Sequence, residues 1–268
     1  MATSAEQLLA EARVDPALEE LQRTIRANPS VARHRIFLFQ LQAIRGEWEK
    51  ALTQLNVAAE LDPIALGMAQ MYREALRNEA LRAEVFAGKR SPLVLGEPPE
   101  WIGLLIEAVR LLAHGQDQAA ADLRSRAFDA APASPGTLDG QPFEWIADAD
   151  PRLGPVLEVI VNGRYFWVPF TNIREIRIEP PADLRDFVWA PAYFTWVNGG
   201  EAVGVIPTRY PASESNPDDL IRLARKTEWI DRGHDLFVGQ GQRLLATDAG
   251  EHALLDIRTI TLHQTTHA

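Results

Sequence analysis

Residues 14–29, VDPALEELQRTIRANP, and residues 48–63, WEKALTQLNVAAELDP, carry one pattern twice. Ala17, Leu21 and Pro29 of the first segment recur 34 positions later as Ala51, Leu55 and Pro63 of the second. Helix hairpins that repeat at such a period cannot bury their faces alone, so they stack on one another into a solenoid. The echo predicts a helical scaffold for gripping a partner peptide rather than a catalytic fold.

Working outward, residues 15–28 place Leu18, Leu21 and Ile25 at a helical period, with Pro16 suited to a first turn and Asn28-Pro29 closing the end. Residues 31–45 carry Ile36, Phe37, Leu38, Phe39, Leu41 and Ile44, apolar over more than half the circumference, as an inner solenoid helix would be. Gly46 ends it, and residues 48–61 put Trp48, Ala51, Leu52, Leu55, Ala58 and Ala59 on one face. A longer helix over 64–87 breaks the strict repeat. A third hairpin starts at Trp101, turns at Gly115 and carries Ala120, Ala127 and Pro132.

Residues 132–142, PASPGTLDGQP, are dense in proline and glycine and mark the expected boundary between two domains, 1–132 and 143–268. Beyond it the apolar period shortens towards two. The runs 156–161 and 164–168 flank Asn162-Gly163, a strong hairpin signal. Residues 173–178 alternate apolar and charged, 187–197 are aromatic and β-branched, and Asn198-Gly199-Gly200 turns that run into 202–206. A last hairpin is expected between 242–246 and 253–262, and a short helix near 218–226. The second half therefore reads as mainly β, a strongly curved sheet or partial barrel.

Composition limits what such a chain does. Its 268 residues are 46% hydrophobic and 24% charged, a globular balance, and it has no cysteine, which excludes disulfides and thiolate chemistry and fits a reducing compartment. No run of about 18 apolar residues is present and the start is polar and acidic, so neither a spanning helix nor a signal peptide is expected, and the cytoplasm is the expected location. The formal charge of −10 is spread along the chain, with 15 basic against 19 acidic residues up to position 140 and 12 against 18 after it. Binding to phosphate backbones needs clustered cations, so nucleic acid is not an expected partner.

Site chemistry is sparse. Phe143, Glu144, Trp145, Asp148, Asp150 and Arg152 form the densest polar cluster. Asp148 and Asp150 are candidates for paired acids or metal ligands, but Asp-x-Asp-Pro-Arg more plainly caps a turn and pairs with its own arginine. His34, His114, His234, His252, His263 and His267 match no metal spacing, although the last two are four apart. Gly88-Lys89-Arg90-Ser91 lacks the first glycine of a phosphate loop, Gly239-Gln240-Gly241 lacks the third of a dinucleotide site, and there is no Gly-x-Ser-x-Gly. No cofactor is implied. The strand aromatics Trp167, Trp189, Tyr193 and Trp196 suit a sheet core more than a binding face, and the stretch from Arg209 to Glu214 suits a rigid turn or a recognition loop.

The helical half resembles tetratricopeptide repeats: Ala51 and Leu55 stand at the Ala-x-x-x-Phe positions and Pro63 at the terminal proline, whereas Arg35, Phe39 and Gln42 replace the usual Trp, Gly and Tyr. The whole chain resembles the ImpE/SciE family, also called TagJ. The resemblance rests on RHRIFLFQLQAIRGEWEKALTQLNVAAELDP (33–63), FEWIADADPRLGPVLEVIVNGRYFWVPF (143–170), LRDFVWAPAYFTWVNGG (184–200) and IPTRYPASES (206–215), and covers nearly residues 6–262. It implies an α+β protein, an irregular tetratricopeptide-like α-solenoid followed by a mainly β domain. It also implies a non-catalytic accessory of bacterial type VI secretion, linked to the small sheath subunit TssB and through it to the ATPase ClpV. A partner helix would lie in the solenoid groove. The residues expected to line that groove are Arg33, Phe37, Gln40 and Ile44, with Leu105 and Val109 from the third hairpin. The competing readings are a general repeat adaptor outside secretion, and a hydrolase built around Asp148, Asp150 and Arg209.

Overall fold

The computed structural model describes residues 4–263. Its first half is helical: α1 (Ala5–Ala10), α2 (Val14–Ala27), α3 (Ala32–Ile44), α4 (Trp48–Leu61), α5 (Leu66–Phe86), α6 (Glu100–Ala113) and α7 (Asp117–Ala130). The repeat residues do what their spacing asks, since Ala17, Leu21, Ala51 and Leu55 are all buried between neighbouring helices. Short α1 lies outside the helices expected from the sequence. A reciprocal cap starts it, with the Gln7 amide donating to Ser4 Oγ and the Ser4 amide to Gln7 Oε1. Three hairpin corners share one device. Gly46, Gly88 and Gly115 adopt φ of +69°, +69° and +73°. The next amide then reaches back to the carbonyl five residues earlier, as Glu47 does to Gln42 at 2.9 Å.

The second half is an open α+β arrangement. Its strands are β1 (Leu93–Val94), β2 (Gly136–Leu138), β3 (Gln141–Phe143), β4 (Ile146–Asp148), β5 (Val156–Val161), β6 (Arg164–Pro169) and β7 (Ile173–Ile178). They continue as β8 (Trp189–Trp196), β9 (Glu201–Pro207), β10 (Thr227–Asp231), β11 (Phe237–Gly241), β12 (Leu244–Thr247), β13 (Gly250–Ala253) and β14 (Thr259–Leu262), with the short helix α8 (Asp219–Arg222) before β10. Among the described residues nine strands form one sheet in the order β1-β6-β5-β9-β8-β7-β14-β2-β3, and its ends do not meet, so they form no closed barrel. β10 pairs with β11, and β12 pairs with β13 and β4.

Three expectations change. The stretch 253–262 is not one strand: Gly250–Ala253 closes the hairpin on β12, a turn at Leu254–Asp256 tucks Leu254 inside, and β14 crosses into the large sheet between β7 and β2. Burial of Leu254, Leu255 and Ile257 outweighs the regular hairpin. The stretch 132–142 is not a free linker, because β2 lies in it and β3 begins in it. The hairpin β10–β11 went unexpected, since TEWID and FVGQG show weak alternation. Among the described residues no helix is long and apolar enough to cross a membrane.

The sheet is buried on both faces. Val156, Ile160, Tyr165, Trp167, Trp189 and Val205 join the helices in one apolar cluster. Leu157, Val159, Val168, Ile176, Ala192, Phe194 and Ile206 face the C-terminal strands in another. The rings of Trp48 and Tyr72, from α4 and α5, lie 6.0 and 5.8 Å from that of Trp189. The solenoid therefore closes on the sheet, and the cores of the two halves are continuous.

Candidate functional site

Glu158 is the single charge in the run VLEVIV of β5, a strand buried throughout. A carboxylate there survives only with counter-charges and donors. Arg82 on α5 supplies two bonds, from Nε at 2.8 Å and Nη2 at 3.0 Å, and Arg243 supplies a third from its Nη2. Tyr165 donates its hydroxyl to the same carboxylate, and Trp167 Nε1 donates to that hydroxyl at 2.7 Å. The chain of charge continues both ways. Arg243 bonds Asp148 through Nη1, and Arg82 faces Glu79, which accepts from Trp189 Nε1 at 2.8 Å.

Burial and charge pull these groups apart in acidity. Burial would raise Glu158, but Arg82 and Arg243 together hold its carboxyl down to about 2. Burial pushes Asp148, with Arg243 as its counter-charge, up to about 6. Glu79 is likewise raised by burial against the pull of Arg82. The guanidiniums and carboxylates bond one another, so the centre fastens α5 to β5, β6 and the loop before β12. A buried array of this kind fixes geometry rather than exposing reactive groups.

The acids and arginine of the hydrolase reading are placed differently from what that reading needs. Asp150 accepts from Arg152 Nη2 at 2.6 Å, from the Arg152 amide at 2.9 Å and from the Gly239 amide at 3.0 Å, so it holds a turn with its own arginine. Arg209 points to the end of α3, donating to the Ile44 carbonyl at 2.7 Å and the Ala43 carbonyl at 3.2 Å, where a cation suits the last carbonyls of a helix. Burial lowers its guanidinium to about 10. All three residues are buried, and of them Asp148 alone borders the cleft between α7 and β4, so they do not converge there. No group of three or more potential metal ligands occurs among the described residues, and His267 lies outside them.

The expected groove residues separate. Arg33 is exposed and Phe37 half-buried on α3, whereas Gln40, Ile44, Leu105 and Val109 are buried. The reason is the sheet. The surface that a free solenoid would offer near Ile44 is taken here by Arg209 and by the turn at Leu184–Phe187 leading into β8. Two open clefts lie elsewhere, the first mainly apolar and the second of mixed lining. One, of about 430 Å³, is bordered by Phe128, Trp145, Pro151 and Pro155 between α7 and β4. The other, of about 550 Å³, separates the start of α5 from β5 and β9.

Known proteins share this architecture. The ImpE protein family matches residues 140–261. The type VI secretion system accessory component TagJ of Pseudomonas aeruginosa is 53% identical over 265 residues, 99% of this chain and 93% of its own length. This chain belongs to the ImpE family. The crystal structure of the protein VPA1032 from Vibrio parahaemolyticus superposes with a TM-score of 0.87 at 26% identity, covering 97% of this chain and 98% of that one. The ImpE match starts just before β3 and ends within β14, so it takes in seven of the nine strands of the large sheet and most of the charged centre. What sequence reasoning missed in this ImpE chain is the trio Arg82, Glu158 and Arg243. A lone Glu inside an apolar strand run was the signal available, since such a residue demands buried partners.

Proposed function

We propose that this ImpE-family chain is a non-catalytic cytoplasmic accessory of type VI secretion that binds a helix of the small contractile-sheath subunit TssB and so influences how the disassembly ATPase ClpV handles the sheath. The observation that carries the reading is the 53% identity, along nearly the full length, to a protein named as a type VI secretion accessory component. The fold agrees with an adaptor: stacked helix hairpins bind by surface complementarity, and the buried acids and arginines are engaged in holding elements together. Within the groove first expected, Arg33 and Phe37 are the members with exposed surface, and they remain the proposed contact on α3. Immobilised, purified small sheath subunit should retain the full-length chain, and should retain ClpV together with it. If the folded chain passes over the subunit unretained, the reading falls. If Phe37→Asp keeps its fold and its sheath-subunit affinity, the α3 contact falls while the reading stands.

A further inference from the structure

The helical layer stops short on the sheet. Along β9 the residues on the helix-facing side go from Val205, 2% exposed, to Val203, 59% exposed, and on to exposed Glu201. Along β8 the same side runs from fully buried Trp189 through half-buried Pro191 to Tyr193, 41% exposed. Tyr193 and Val203 are directly paired across the strands, so the two exposed apolar side chains form one patch.

Helix α5 walls this floor without covering it. Its later turns are tied down, by Asn78 to the Gly163 carbonyl at 3.1 Å and by Arg82 to Glu158. Its first turns stand off, leaving the 550 Å³ cleft lined by Gly67 and the apolar Met71, Ile160 and Val203, with the polar Gln70, Glu74 and Asn162 among them. A Cβ built on Gly67 would touch nothing within 4 Å. At the corner where α4 meets α5, Leu61, Leu66 and Ile64 are exposed, Ile64 at 91%. A floor of strands with a helix along one side and an apolar lip is the place where a further helix of an α/β layer would pack.

Charge selects the occupant. Arg77 is paired with Glu74 at 2.8 Å and Arg177 with Glu175, Arg177 lying over the Tyr193 ring, whereas Arg73 donates to the neutral Asn56 amide at 2.7 Å and keeps its charge. Glu60, next to Leu61 in the chain, and Glu201, two residues before Val203 on β9, have no ion pair among the described residues, so these four carboxylates outnumber the three arginines by one. A second copy of the chain, itself at −10, would bring the same carboxylates face to face. We propose that this groove seats an amphipathic helix of a partner protein whose apolar stripe is flanked by lysine or arginine. Identifying that helix with one from the sheath subunit rests on the function proposed above.

The test uses the full-length chain and two labelled helical peptides of about 18 residues, roughly 27 Å, with one apolar face flanked by lysines in one and by glutamates in its twin. The lysine-flanked peptide should bind at least about tenfold more tightly, and Val203→Asp or Ile64→Asp should weaken it by about tenfold or more, with melting temperatures unchanged. Glu201→Lys should narrow the difference between the twins. Equal binding of the twins, or variants that bind like the parent, overturns the groove. A concentration-dependent dimer that Val203→Asp dissolves overturns it too, since a second copy would then be the occupant. In a parallel arm with purified sheath subunit, loss of retention by Val203→Asp supports the identification. Failure of the parent chain to bind the subunit at all sinks the proposed function alone, and the peptides still decide the groove.

Discussion

Arg243 holds two carboxylates at once, and this makes it the most sensitive buried residue. Replacing it by methionine would leave Asp148 without its counter-charge and Glu158 with Arg82 alone. Stranding buried charge costs about 3–5 kcal/mol, so Arg243→Met should lower the urea midpoint by a correspondingly large amount or leave no folded protein. Acidity offers a gentler probe. Asp148 titrates at about 6 in the fold against 3.8 for an ordinary aspartate, so the folded state binds the extra proton between those values. Stability from this group is present below that window and is lost as pH rises through it. Glu158, at about 2 against 4.5, acts in the opposite sense, contributing above 4.5 and losing that contribution as pH falls towards 2. Asp148→Asn should therefore flatten the urea midpoint between roughly pH 4 and 6 while keeping the loss at lower pH. An unchanged slope in that interval would show that Asp148 titrates normally. At this scale the sequence was legible where a motif is local, as in Asp150 pairing with Arg152 two residues on. It was not where partners come from three segments, as with Arg82, Glu158 and Arg243, because no local spacing records a contact across 76 or 85 positions.

Elements behave similarly, with local turns readable and distant pairings hidden. Asn162-Gly163 sets the β5–β6 hairpin through two residues at positive φ, 50° and 73°, and its register is visible from the flanking apolar runs. The pairing of β5 with β9 depends instead on Gly204, a residue that reads as an ordinary weak point in a strand. A Cβ there would sit 2.5 Å from the Ile160 carbonyl oxygen and 3.3 Å from the Val161 Cα. Gly204→Ala must push β9 off β5, at a cost of about 1–3 kcal/mol. In a chain of this size the melting temperature should fall by roughly 2–4 °C per kcal/mol, and an unchanged melting curve would mean that the strands separate without cost. The same displacement would widen the cleft beside Val203, so the variant also reports on how much of that opening is set by backbone contact. The strands β2 and β14 were misread for a related reason. β14 lies between β7, more than 80 residues away in sequence, and β2, which pairs locally only with β3, and burial of Leu138 and Ile260 rather than local alternation places them.

At the scale of the whole molecule, the boundary near 132–142 separates helices from strands without separating their cores. One apolar cluster runs from Ala17 and Phe39 through Tyr72 and Leu105 to Ile160, Trp167 and Trp189. The charged centre bridges the same junction through Arg82 and Glu158, and Arg209 ties the end of α3 to the strand side. A free solenoid would keep its concave face for a peptide, whereas here the sheet fills part of that face and shifts the open surface to the margins of the helical layer. The helix rings of Trp48, Tyr72 and Phe86 would lose their contacts with Trp189 and Trp167 if the sheet were lost, and the two tryptophans would be exposed if the helices were lost, so neither half opens without a large apolar cost. Thermal unfolding should therefore be a single transition in which the helical circular dichroism signal and the fluorescence of the buried tryptophans change together. Two resolved steps, with helices melting before Trp167 and Trp189 become exposed, would show that residues 1–132 and 143–268 are separate folding units. A single step would mean that a helix seated beside α5 loads the whole chain, because everything it rests on unfolds as one body.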